Sequence, residues 1–112
     1  MRKLLILLVV LMLIESRLSM RAQSTAVVYG RGRESCATWA MDRQSSYLSL
    51  IDQTWVEGFV SGASSASDAA SSPLKSADGN ALERLTDDFC AKNPFKELHE
   101  AAEALILTLR TP

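Results

Sequence analysis

Histidine is almost missing from this sequence: His99 stands alone among 112 residues. A Cys–His or Ser–His relay therefore has one possible base, and His99 lies beside Glu100 in a helical stretch, where it reads as a surface side chain. Ser61, Ser64, Ser65, Ser67, Ser71 and Ser72 are numerous but none sits in a G-x-S-x-G elbow. Two cysteines and one histidine cannot close a four-ligand zinc site. Asp87 and Asp88 are neighbours, so on a helix they diverge by about 100° and do not form a carboxylate pair. Phosphate-cradling glycine loops and EF-hand spacing are missing too. The inventory argues against an enzyme, a metal or a cofactor. Basic runs are likewise lacking, which argues against nucleic acid as a partner.

What is present begins at the N-terminus. Arg2 and Lys3 precede an unbroken apolar run from Leu4 to Ile14. At 11 residues it has the length of a signal-peptide core and is too short to span roughly 30 Å of hydrocarbon. Ala22-Gln23-Ser24 places small residues at −3 and −1 of a cleavage site, with cleavage after Ala22 as an alternative. No cysteine follows either site, so a lipid anchor is not expected. Residues 1–24 are thus expected to be a signal peptide, with an uncleaved membrane anchor as the alternative, and the remainder to be periplasmic or secreted, free of the membrane once cleaved. That remainder holds eight basic and twelve acidic residues, a net charge near −4.

Cysteine supply then matters more than its scarcity suggests. Cys36 and Cys90 are the only two in an exported chain, and pairing is the default. A bridge between them closes a loop of 55 residues, worth roughly 4 kcal/mol in the chain-entropy model.

Along the chain, residues 25–33 read as an irregular lead-in broken by Gly30 and Gly32, and 34–112 as one disulfide-linked helical domain. A short helix fits 34–43, with Cys36, Trp39, Ala40 and Arg43 on one side. A second begins near Ser46, with Leu48, Ile51, Trp55 and Phe59 as its apolar stripe. Gly58, Gly62 and Ala66, followed by Ala69 and Ala70, make a small-residue stripe expected to allow close packing inside the domain; a homodimer contact is the alternative. Residues 71–79 read as a loop. Asn80 and Glu83 resemble a capping box for a third helix bearing Leu82, Leu85, Phe89 and Cys90. Asn93 as N-cap and Pro94 at the first helical position open the last helix. Its apolar face would comprise Phe95, Leu98, Ala102, Leu105, Ile106 and Leu109. The fold class expected is all-α: a small four-helix domain closed by one disulfide, after a signal peptide.

Two resemblances follow from particular stretches. "SCATW" (35–39), "WVEGFVSGAS" (55–64) and "DDFCAKN" (87–93) with its amphipathic successor resemble the HdeA-type acid-stress chaperones of the bacterial periplasm. "GFVSGA" (58–63) and "NPFKELHEAAEALI" (93–106) resemble the periplasmic Rap/Tai immunity proteins that guard against type VI secretion effectors. Both imply a protein that binds protein: unfolded clients in the first case, a cognate effector in the second, with a homodimer as a further option. The first implies acid as the trigger, since protonating the carboxylates and His99 takes the charge after residue 24 from near −4 to about +9. Contact with clients or partners is expected at Trp55, Phe59, Leu105 and Leu109, which are equally candidates for the core. A small envelope protein with neither role is the remaining expectation.

Overall fold

The computed structural model describes residues 1–18, 27–67 and 75–110, the side chains of 12–18 excepted. Signal cleavage after Ala22 or Ser24, the small residues Ala69 and Ala70, and the start of the 71–79 loop lie outside the described residues. Regular structure there is all-helical, with five α-helices where four were expected. The extra one, α1 (Arg2–Leu18), falls in the segment read as a signal; Leu4–Leu11 are exposed, and among the described residues α1 shows no packing against another element. No helix among the described residues is long and apolar enough to cross a membrane.

A 3-10 turn (Gly30–Arg33) precedes α2 (Cys36–Asp42), α3 (Ser46–Ala66), α4 (Gly79–Lys92) and α5 (Leu98–Arg110). The four helices pack around Trp39, Val56, Leu82, Leu98, Ala101 and Leu105, with the Cys36–Cys90 disulfide inside the same core. The bond ties the first residue of α2 to the last turn of α4. The lead-in, expected to be irregular, has no regular structure over 27–29 but forms the 3-10 turn at Gly30–Arg33, which packs on α3 and α5.

Local chemistry starts each helix, though not always where expected. Ser35 and Ser45 cap α2 and α3 by accepting from the N–H groups of Thr38 and Leu48. The cap of α4 is Asp78, not Asn80: its Oδ1 accepts from Ala81 N–H at 2.7 Å. A carboxylate there gains both the hydrogen bond and the helix dipole. Asn93 closes α4 instead of opening α5, donating its side-chain N–H to the Phe89 carbonyl at 2.8 Å.

The residues after Asn93 are drawn away from helix by α2. Cys36 and Ala37 N–H groups, unpaired at a helix start, donate to the carbonyls of Lys96 and Pro94, while Leu98 N–H donates to Glu34. This makes an isolated antiparallel bridge, Ser35 to Glu97. Helix α5 therefore begins at Leu98, with Glu100 reaching back to the N–H of Glu97 at 2.9 Å. Phe95, expected on the apolar face, is left in the turn at 97% exposure. The other five residues expected on that face are all buried.

Helix α3 is rotated from its expected register. Ser49, Asp52, Val56 and Val60 are buried; Ile51, Trp55 and Phe59 are half-buried, and Leu48 is exposed. Ala40 of α2 is exposed as well. The small-residue stripe does not pack inside the domain: Gly58, Gly62 and Ala66 face outward, and a Cβ added to either glycine meets nothing within 4 Å. Gly58→Ala and Gly62→Ala are each expected to stabilise the helix by about 0.5–1 kcal/mol. Thermal denaturation of the double variant should show a midpoint raised by roughly 5–10 °C; a lowered midpoint would mean that a second chain packs on this face.

Candidate functional site

The rotation of α3 turns Asp52 into the interior, where it is 1% exposed. A carboxylate is not buried alone without a large cost, and the 3-10 turn supplies the partner. Arg31 donates through Nε to Asp52 Oδ1 at 2.5 Å and through Nη2 to Asp42 Oδ2, and lies 3.5 Å from Glu34. The guanidinium of Arg31 is held above its ordinary pKa, chiefly by the hydrogen bond to Asp52. Asp52 Oδ2 is buried with no hydrogen-bond partner. Burial pushes the Asp52 carboxyl upward; Arg31 pulls it down by less than burial and nearby Asp42 push it up.

Arg31 also anchors a strap across the aromatic pair of α3. Trp55 and Phe59 rings lie 5.3 Å apart. Trp55 Nε1 donates to the Tyr29 carbonyl at 3.0 Å, and the backbone of buried Gly32 lies against the indole. Gly30 adopts φ +66°, a left-handed conformation that glycine takes without the clash a side chain brings.

A second polar cluster joins α2, α3 and α4. Asp87 accepts from buried Trp39 Nε1 at 2.8 Å and from Arg43 through a two-point pair at 3.0 and 3.1 Å. Arg43 also pairs with Glu83, donates to Ser49 Oγ at 2.9 Å and stacks over the Trp39 ring. Planar two-point pairing of this kind sets helix orientation as well as energy. Asp88 points to solvent.

The four residues expected to meet partners do not share one surface. Leu105 and Leu109 are core, while Trp55 and Phe59 are half-buried beside the strap. Both cysteines are spent in the disulfide, leaving no thiol. His99 lies between Glu97 and Glu103 at 2.9 and 3.3 Å. No cluster of three metal-ligating side chains occurs among the described residues. An open groove of about 450 Å³ beside α3 is lined by Val60, Leu82, Leu109, Ser61, Ser64 and Lys75.

From sequence, Arg43 falls on the cysteine side of its helix, Glu83 completes a capping box and Asp87 adjoins Asp88, while Arg31, Asp42 and Asp52 have no local role; the pairing of all six belongs to the tertiary structure. One signal was there: Asp52 shares a helical stripe with Val56 and Val60, an ionisable group at a core spacing. No family model, no curated protein and no solved structure matches this chain.

Proposed function

We propose that this is an exported, periplasmic or secreted helical binding protein of HdeA type, which opens in strong acid and holds unfolded clients on its apolar helix faces. The observation that carries this reading is the placement of the disulfide. It joins the start of α2 to the end of α4, so an opened chain keeps its 36–90 loop closed while α3 and α5 are free to turn their apolar sides outward. Leu105 and Leu109 are buried in the folded domain, and binding through them requires opening. The charge of about +9 in strong acid supplies the force.

An immunity-type protein that binds an effector while folded is the second reading. What favours it is the outer face of α3, where Tyr47, Leu50, Thr54, Gly58 and Gly62 are exposed without a charge among them. Far-UV circular dichroism, ANS binding and sedimentation between about pH 7 and pH 2 separate the two. The chain lacking residues 1–24 is expected to open reversibly below about pH 3, bind ANS and keep an acid-denatured client from aggregating. A domain that stays closed and protects nothing would overturn the chaperone reading and favour a neutral-pH partner.

A further inference from the structure

Asp52 is the one group among those described whose polar atom is both fully buried and unpartnered, and it sits where the strap, α2 and α3 meet. We propose that Asp52 and Asp42 share a proton beneath Arg31, forming a clasp that mild acid strengthens and that holds the strap over Trp55. Unprotonated, two carboxylates face one guanidinium, and Asp52 Oδ2 has nothing to accept from. Like-charged carboxyls at one site raise the affinity of the pair for a proton. A single bound proton leaves one negative charge on the Asp42–Asp52 pair, with Glu34 3.5 Å from Arg31 on its other side, and converts one acceptor into a donor. Asp52 and Asp42 are brought together by the same guanidinium, one on Nε and the other on Nη2 of Arg31.

The 3-10 turn offers Arg31, with Glu34 following it, and α2 offers Asp42. Arg43, at the end of α2, reaches α3 one turn before Asp52, through Ser49, and is occupied by Glu83 and Asp87 of α4. On α5, His99 faces Glu97 and Glu103, Glu100 caps the helix start and Arg110 reaches toward Ser67.

The direction of the pH response follows from linkage. A carboxyl with a higher pKa in the folded than in the unfolded chain binds its proton more tightly when folded. Its stabilising effect is present in acid and is lost as pH rises through the raised value. Asp52 is shifted upward by burial, so mild acid tightens the clasp instead of releasing it. One consequence rests on the chaperone reading: Trp55 stays covered through mild acid, and opening is confined to the strongly acid range where self-repulsion of the whole domain takes over.

The test is the thermal midpoint of the folded chain from about pH 7.5 to about pH 4.5, above the range in which client protection is assayed. The parent is expected to gain about 4 °C or more on acidification, and Asp52→Asn to lose most of that gain. Asp88→Asn, at an exposed carboxylate, should keep it. A flat or falling parent profile, or an Asp52→Asn variant with the parental rise, would overturn the clasp. Should Asp52→Asn fail to fold, the carboxyl ¹³C shifts of Asp42 and Asp52 in the parent decide. Linked titration with one step above the ordinary aspartate range supports proton sharing, and two independent ordinary titrations refute it. Failure of client protection below about pH 3 would count against the chaperone reading and leave this result untouched.

Discussion

Replacing both cysteines, Cys36→Ala with Cys90→Ala, is expected to lower stability by about 2–5 kcal/mol and to abolish cooperative folding near 37 °C. Two effects act together. The cross-link restrains a long stretch of the unfolded chain, its ends 54 residues apart, and its loss returns that entropy to the unfolded state. Both sulfur atoms are also core atoms, since Cys36 and Cys90 are buried against Trp39 and Leu98, so alanine leaves unfilled space. Alanine is the sharper probe because serine would add a buried hydroxyl to the cost. Urea unfolding of the oxidised parent, the reduced parent and the double variant separates the contributions. The reduced parent reports the cross-link with packing largely kept, and the variant adds the cavity. A variant as stable as the oxidised parent would show that helix packing alone holds the domain.

Gly32→Ala is expected to cost about 2–3 kcal/mol, an overpacking penalty, and to lower the thermal midpoint by roughly 10–20 °C. A Cβ at this position would overlap Trp55 Cζ2 and lie 2.7 Å from Val28 Cγ1. The indole cannot swing aside cheaply, because its N–H is bonded to Tyr29 and its ring packs against Phe59 and the core. Relief therefore requires lifting the strap or displacing the tryptophan. A double-mutant cycle identifies the obstacle: in a Trp55→Leu background the same glycine substitution should cost less than about 1 kcal/mol. An equal cost in both backgrounds would place the effect in the turn's own backbone. Trp55 fluorescence should change in Gly32→Ala at temperatures where the helices remain folded.

Several features of this fold are dictated by near neighbours in the chain. Helix α3 begins at Ser46, as expected, because Ser45 caps the helix through a bond three residues long. Leu98, Ala102, Leu105, Ile106 and Leu109 recur at three- and four-residue steps, and all five are buried. Two cysteines with no competing ligand set pair with each other. Where the expectation failed, a distant segment had intervened. Asn93-Pro94-Phe95 has the chemistry of a helix start, yet the N–H groups of Cys36 and Ala37 claim the carbonyls of Lys96 and Pro94. Those bonds satisfy the first turn of α2 and hold the segment as a turn followed by a bridge, so that α5 starts only at Leu98.

The rotation of α3 has the same origin. Helical spacing alone allows either the stripe Leu48, Ile51, Trp55 and Phe59 or the stripe Ser49, Asp52, Val56 and Val60. Hydrophobicity alone prefers the first. Arg31 and Arg43, which lie outside α3, make the second possible by pairing with Asp52 and Ser49. By itself, then, the sequence determined an all-helical, disulfide-closed chain and most of the faces of its last two helices, because caps, periodicity and cysteine number act locally or by elimination. Only the tertiary structure decided which side of α3 lies inside, where α5 begins and how Trp55 is covered. Each of those rests on a polar group finding its partner outside its own helix, 21 residues away for Asp52 and Arg31 and six for Ser49 and Arg43, and no local pattern encodes such pairings.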